Sequence, residues 1–401
     1  MKVVCVGAGP AGLYFAILAK RRDPSAEVCV LERNPEGVTY GWGVTFSDDV
    51  LDSLYAGDPE SAARIRDDPA SWGDQLVTLG DQAPAHLGGY GFAIGRHRLL
   101  EILAERAVEL GVRISYRHQV EDLAEFADAD LIVAADGANS AIRERYVERF
   151  GTQREAGRNH YIWLGTSKVF PEFRYAFEPT EAGWIWFYAY PFDHQTTTFI
   201  VECAPATWTG LGFDRLDPEQ TKAALERIFA RHLDGHPLLV QSRDQHMSPW
   251  LHFTWITNQA WYHGNLVLAG DAAHTTHFSI GNGTKLAIDD AIELDRQVGR
   301  QPDLDAAVAA YQQERIAAVG ARQRIARASA AWFEDVEDFT ERSPTRFAYS
   351  LRTRTDSSRP APGGVPWLLH LATQSSLGRQ GRRWLSAARR WRRNGQRGAA
   401  S

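Results

Sequence analysis

Gly7, Gly9 and Gly12 stand in a GxGxxG spacing, and Glu32 follows 20 residues after the last of them. Between a strand and a helix, each glycine has a separate task. The first permits the turn, the second lets the backbone approach a pyrophosphate, and the third lets helix pack on strand. The helix N-terminus then offers N–H groups and a partial positive charge to the phosphates. An acid at the end of the second strand accepts ribose hydroxyls, which suits FAD or NAD and disfavours a 2′-phosphate. Gly7, Gly9, Ala11, Gly12, Glu32 and Arg33 are therefore candidate cofactor contacts. The plain alternative is that the glycines serve a tight turn and nothing more.

Two later stretches carry a second set of candidates. Asp136-Gly137-Ala138-Asn139-Ser140-Ala141-Ile142-Arg143 has the form DGxxSxxR, and Gly270-Asp271 leads through His274 to Gly281-Asn282-Gly283-Thr284. Both resemble elements of the single-component FAD-dependent aromatic hydroxylases, the para-hydroxybenzoate hydroxylase-like class. Arg96, in an Arg-x-x-Leu pattern opening a helix, resembles that family's FAD-contacting arginine. The stretches GWGV at 41–44, RNHYIWLGT at 158–166, TFIVEC at 198–203, HFSIGNGTKLAIDDA at 277–291 and AWFEDVEDF at 331–339 narrow the likeness. They resemble a subgroup typified by salicylyl-CoA 5-hydroxylase, 2-aminobenzoyl-CoA monooxygenase and the tryptophan hydroxylase of violacein assembly. The chain departs from the wider class where His277-Phe278 replaces a Pro-Pro pair and where Lys285 stands in place of Asn.

The resemblance implies that FAD is held by Gly7, Gly9, Ala11, Gly12, Glu32, Arg33, Arg96, Asp136, Arg143, Asp271, Gly281, Gly283 and Thr284. Backbone N–H groups at Gly283 and Thr284 would face the flavin and stabilise negative charge on its reduced form. NADH or NADPH would act as a visiting reductant, since no second GxGxxG follows a strand. O₂ would be activated as a flavin C4a-hydroperoxide that attacks an electron-rich ring. The protein's part is to exclude water and position that ring. Tyr161, Trp163, Trp186, Tyr188, His277 and Phe278 are the expected pocket walls, with plain sheet core as the alternative for the first four. His277 is the candidate to hydrogen-bond a substrate heteroatom or steer a proton; a satisfied structural histidine is the alternative. The substrate implied is a salicylyl- or aminobenzoyl-CoA-like thioester. The alternatives are tryptophan or another indole, or an FAD-binding protein without hydroxylase turnover. The length matches a hydroxylase without the reductase half of the aminobenzoyl-CoA enzyme, acting as a monomer or homodimer.

These residues need a scaffold. Residues 2–7 are β-branched and apolar, 11–22 have helical periodicity, and 27–31 alternate into a second strand. A helix over 96–110 and strands over 112–117 and 130–135 follow. From about residue 158 the pattern becomes β-rich and aromatic over 161–169, 184–190 and 197–203, without helices between, which predicts an antiparallel sheet. A helix over 218–232, a buried strand over 265–269 and helices over 284–299 and 304–331 complete the chain. The expected fold is α/β with an α+β insert: a Rossmann-type FAD-binding lobe split around an antiparallel-sheet substrate lobe, with a helical C-terminus. The boundaries expected are 1–157 for the first part of the FAD lobe and 158–262 for the substrate lobe. Residues 263–355 complete the FAD lobe, and 356–401 form an arginine-rich tail.

Composition sets limits. With 44% hydrophobic and 23% charged residues, the chain is not mostly disordered. The formal charge of −6 hides a segregation: residues 357–401 hold nine Arg and no acid, leaving −15 on residues 1–356. That tail reads as a solvated end, a grip on an anionic substrate handle, or a surface-binding segment in which Trp384 and Trp391 share a stripe. Three cysteines disfavour a disulfide framework and suit a reducing cytoplasmic setting. The uncharged stretch at 3–19 is broken by glycines and a proline and is too short to span a membrane. No nucleic-acid partner is expected. Trp184-Ile185-Trp186 continues as Phe187-Tyr188-Ala189, unlike the WxWxIP motif of flavin-dependent halogenases. His274 and His277 lack a third ligand, so no metal is expected.

Overall fold

The computed structural model describes residues 1–67, 69–241, 250–356 and 361–381. The chain divides into two compact units.

The first unit comprises Met1–Pro69, Ile94–Gly157 and His252–Ala330. Its six-stranded sheet runs in the order Tyr262–His263, Leu266–Leu268, Leu131–Ala134, Lys2–Val6, Glu27–Glu32, Arg113–Tyr116. All neighbours are parallel except the antiparallel edge strand Tyr262–His263. Val3, Val4 and Cys5 have no exposed surface, as expected of a parallel strand covered on both faces. Pro10 opens the Pro10–Arg22 helix, where its missing N–H costs no intrahelical bond. The helix packs against the Gly283–Arg300 helix, and Arg22 Nε bonds Asp295 Oδ1 at 2.8 Å between them.

The second unit comprises Ala70–Ala93, Arg158–Leu251 and Ala331–Ser401. Three strands form its antiparallel centre: Gln153–Thr166 from residue 158 onward, Thr197–Cys203 and Gly183–Pro191. The Phe173–Thr180 strand extends it antiparallel to Gly183–Pro191. Gln75–Leu79 then adds in parallel to Phe173–Thr180, followed by Ala85–His86. One face carries Ile162, Leu164, Ile185, Phe187, Phe199 and Val201, packed on Leu225, Phe229 and Leu233. Leu225 and Leu233 come from Pro218–Ile228 and Ala230–Leu233, two short helices that meet at Phe229 in place of the single one expected over 218–232. The first begins with a capping box between Asp217 and Gln220, which satisfies end N–H groups.

Two segments assigned from sequence to the FAD lobe group with the β-rich unit instead. Residues 70–93 do so because Gln75–Leu79 continues its sheet. Residues 331–355 do so because Trp332, Phe333 and Phe347 pack on Phe177. Within the arginine-rich tail expected over 356–401, a helix spans Gly364–Gln374. Residues 357–360 and 382–401, including Arg359, Trp384, Trp391 and most of the arginines, lie outside the described residues.

Candidate cofactor site and aromatic sheet face

The glycine loop is a cradle by necessity. Gly7 has φ +106°, and a Cβ there would lie 2.3 Å from the Ala135 carbonyl oxygen. A Cβ on Gly12 would lie 2.1 Å from the Gly7 carbonyl oxygen, so both positions exclude any side chain. Gly9 differs: its Cβ would meet only the Ala135 oxygen, at 3.9 Å. It borders a cavity of about 890 Å³ in the first unit, which Gly7, Glu32, Arg33, Arg96, Tyr116 and Asp136 also line.

Each polar wall of that cavity is held from behind. Glu32 Oε2 accepts the Ala8 amide at 2.9 Å, and Oε1 accepts the Asn34 amide at 2.8 Å. Arg96 Nε donates to Thr39 Oγ1 at 3.2 Å. Asp136 Oδ2 accepts the Ile142 amide at 3.4 Å, while its Oδ1 is buried without a hydrogen-bond partner. Burial pushes this carboxyl up, opposed by hydrogen bonds from Ser140 and Ile142. A buried acceptor left open on a cavity wall fits a ligand hydroxyl. With the open Gly9 and the cations Arg33 and Arg96, the site therefore fits a nucleotide cofactor of the FAD kind.

Arg143 and Ala11, expected as cofactor contacts, are placed otherwise. The Arg143 side chain has no exposed surface. Its guanidinium donates to the carbonyls of Ala272 at 3.0 Å and Ala138 at 2.6 Å, and reaches that of Asp271 at 3.5 Å. It braces the Asp136 turn against the Gly270–Ala272 turn by giving buried carbonyls their donors. Ala11 is buried, and a Cβ on Gly270 (φ +63°) would come within 3.1 Å of its methyl. Ala11 is thus small to admit the Gly270 turn.

Asp271 itself is exposed. Its turn is held by a residue the sequence reading did not single out. Buried Asp290 accepts the Gly270 amide at 2.8 Å, faces His274 Nε2 at 2.8 Å and accepts Arg315 Nε at 2.7 Å. Burial pushes the Asp290 carboxyl up, but His274 and Arg315 prevail and hold it below its usual range. No group of residues able to hold a metal occurs among the described residues.

Gly281 takes φ +62°, turning the chain into the Gly283–Arg300 helix. No side chain caps that end, and the Leu286 amide is bonded to Asn282. A Cβ on Gly283 would meet nothing within 4 Å, so the first amides, at Gly283 and Thr284, are approachable donors. His277 is buried. Its Nδ1 accepts the Ser279 amide at 3.3 Å and lies 2.8 Å from Ser279 Oγ, which in turn lies 2.8 Å from Ser329 Oγ. The ring stacks on Phe278 at 4.2 Å and meets Phe253 edge-on at 4.9 Å.

In the second unit, pairing puts the four sheet aromatics on one face. Tyr161 and Trp186 both stand opposite Glu202, and Trp163 and Tyr188 both opposite Ile200. Their surroundings differ. Trp186 and Tyr188 are buried, with Phe333 at 6.1 and 5.0 Å, so they form sheet core rather than open wall. Tyr161 and Trp163 are only half-buried. Glu202, unforeseen from sequence, is buried among them. It accepts Asn159 Nδ2 at 2.8 Å and a short hydrogen bond from the Tyr188 hydroxyl. Burial pushes its carboxyl up to about 7 against those bonds, with Glu334 adding to the rise. The signal was present in TFIVEC: an acid sharing strand parity with Ile200 in an apolar run.

Residues 1–323 match the FAD binding domain family, and the chain belongs to it. Within that family it is an FAD-dependent aromatic monooxygenase. Salicyloyl-CoA 5-hydroxylase from a Streptomyces species is 38% identical over 367 residues, covering 88% of this chain and 70% of that protein. The 3-hydroxy-4-methyl-anthranilyl-[aryl-carrier protein] 5-monooxygenase of Streptosporangium sibiricum is 36% identical over 343 residues, covering 84% and 90%. Among solved structures, 2-methyl-3-hydroxypyridine-5-carboxylic acid oxygenase superposes with a TM-score of 0.66 at 17% identity, covering 90% of this chain and 99% of that one. That likeness is one of fold. Among the described residues no helix is long and apolar enough to cross a membrane.

Proposed function

We propose that this chain adds one oxygen atom from O₂ to an electron-rich aromatic ring carried as an acyl thioester, with NADH or NADPH as reductant. The balance is one ring C–H, O₂, NAD(P)H and a proton converted to a phenol, water and NAD(P)⁺. The observation that carries the cofactor part is the cavity bordered by Gly9 and by the unpartnered Asp136 oxygen.

The amides of the Gly7–Gly9 turn and the start of the Pro10–Arg22 helix would hold the pyrophosphate. Glu32 and Asp136 would accept hydroxyls, and Arg33, Arg96 and Asp271 would complete the grip. The free amides at Gly283 and Thr284 would stabilise negative charge on the flavin ring. Bound FAD supplies the transfer of electrons from NAD(P)H to O₂. The chain's own residues do the rest. Ser279 holds the His277 ring in place, its amide donating to Nδ1 at 3.3 Å. We assign His277 to hydrogen-bonding a substrate heteroatom. Phe278, stacked on His277 at 4.2 Å, supplies apolar surface for a flat ring. The thioester is supported by the two relatives above, whose substrates are joined to coenzyme A and to a carrier protein.

The test is a substrate screen by mass spectrometry for gain of one oxygen, with NADH consumption followed in parallel. Aromatic coenzyme A thioesters should stimulate NADH oxidation and gain oxygen where the free acids do not. Turnover of an indole with every thioester inert would replace the substrate assignment. FAD binding without any stimulated oxidation would end the hydroxylase reading.

A further inference from the structure

The stretch between Asp271 and His277 is tied by side chains to the Leu251–Thr257 strand. Thr275, between the two, is buried. Its Oγ1 donates to the Thr254 carbonyl at 2.7 Å and accepts the Ile256 amide at 2.8 Å. A hydroxyl carries donor and acceptor on one atom, so Thr275 pairs with the strand as a backbone unit would. Its own amide adds a bond to the Ile256 carbonyl at 3.3 Å. Gln323 Nε2 clasps both partners, donating to the carbonyls of Ile256 at 3.1 Å and Thr275 at 3.0 Å. Asn258 Nδ2 donates to the Ala273 carbonyl at 2.6 Å.

The same strand carries rings that meet His277. Phe253 meets it edge-on at 4.9 Å, and Trp255, two residues on and so on the same strand face, lies stacked at 6.1 Å. The Thr275 hydroxyl therefore sets the register between the segment bearing His277 and the strand that packs on its ring. We propose that Thr275 is a positioning residue for ring oxygenation and acts through His277. The proposal rests on the assignment of His277 to the substrate heteroatom. Misplacing a reacting group by about 1 Å costs about a hundredfold in rate. The turn before Asp271 is anchored separately, by Asp290 at the Gly270 amide, so FAD binding does not depend on Thr275. With the ring out of place, NAD(P)H, O₂ and a proton still yield NAD(P)⁺ and hydrogen peroxide, and the ring carbon keeps its hydrogen. Lost positioning thus shows as reductant consumed without oxygenated product.

Thr275→Val keeps the branched shape and removes the hydroxyl, whereas Thr275→Ser keeps the hydroxyl. The experiment gives the FAD-loaded full chain salicylyl-coenzyme A or 2-aminobenzoyl-coenzyme A and compares oxygenated product with NADH consumed. Thr275→Val should retain its FAD, and the absorbance of that FAD should still shift when the thioester binds. Product per NADH should nevertheless fall at least about tenfold, and Thr275→Ser should restore it. Gln323→Met strips the donor from the Thr275 carbonyl and should lower the ratio as well, which keeps the test open if Thr275→Val does not fold. In a His277→Ala background Thr275→Val should cost nothing further, because residues acting as a unit are not additive. An unchanged ratio in the variants, a fall that only tracks lost FAD, Thr275→Ser as poor as Thr275→Val, or full additivity with His277→Ala overturns the role of Thr275. A parent that forms no oxygenated product from either thioester overturns the reading of the function, and the proposal with it.

Discussion

His274 Nε2 lies 2.8 Å from Asp290 Oδ2, and the same oxygen accepts the Gly270 amide at 2.8 Å. One carboxylate from the middle of a helix thus fixes the start and end of the turn that presents Asp271. Its second oxygen takes Arg315, so a buried anion meets a buried cation and a histidine. Asp290→Ala would leave Arg315 buried and unpaired, at a cost of about 3–5 kcal/mol. We expect urea unfolding to show that loss, together with loss of bound FAD. A variant as stable as the parent would mean the turn is held by something else.

Arg143 makes a similar argument from the donor side. Arg143→Met keeps the volume but strips the donors from the carbonyls of Ala272 and Ala138. Each buried acceptor so abandoned costs about 1–3 kcal/mol. Destabilisation of roughly 2–6 kcal/mol is expected, with Arg143→Lys intermediate because an ammonium lacks the guanidinium's fork. Unchanged stability with loss of FAD alone would return Arg143 to the role of direct cofactor contact.

Two glycines separate folding from cofactor binding. At Gly12 an added Cβ strikes the Gly7 carbonyl oxygen, which is backbone and cannot give way. Gly12→Ala should therefore fail to accumulate as folded protein. At Gly283 the Cβ meets open space, so Gly283→Ala should match the parent's cofactor-free stability within about 0.5 kcal/mol. Its FAD affinity should fall, because the methyl stands where the amide is approached. Fluorescence titration of released FAD measures this; equal affinity would remove Gly283 from the site.

Glu202 predicts a pH dependence. Its folded carboxyl sits at about 7 against an ordinary 4.5, so between those values the folded state holds a proton that the unfolded state has released. Its contribution to stability is full below pH 4.5 and is lost as pH rises towards 7, by up to about 3 kcal/mol. Glu202→Gln imitates the protonated form. The stability difference between variant and parent should grow between pH 5 and pH 8 in favour of the variant. A difference independent of pH would show that Glu202 is ionised throughout.

Much of the first unit was legible from neighbours in sequence. Gly7, Gly12 and Glu32 announce strand, turn, helix and strand because backbone sterics restrict those positions to particular residues. Alternation likewise placed Tyr161 with Trp163. It did not show that Phe333 covers Trp186 and Tyr188, since the covering residue is 147 and 145 positions away. Nor did it show that residues 70–93 join the β-rich unit, because a parallel pairing of Gln75–Leu79 with Phe173–Thr180 leaves no local mark.

By itself the sequence determined the FAD-binding family, the glycine cradle and the segregation of charge. All three reside in residue type and short spacing, where local sterics and formal charge act without reference to the rest of the chain. Only the tertiary structure decided that Arg143 braces carbonyls up to 129 residues away, that Asp290 anchors the Asp271 turn, and that the Gly364–Gln374 helix faces its leucines outward. A buried donor must find an acceptor wherever the chain brings one, and a helix turns whichever face its hydrogen bonds can hold. Both choices depend on what lies opposite in space.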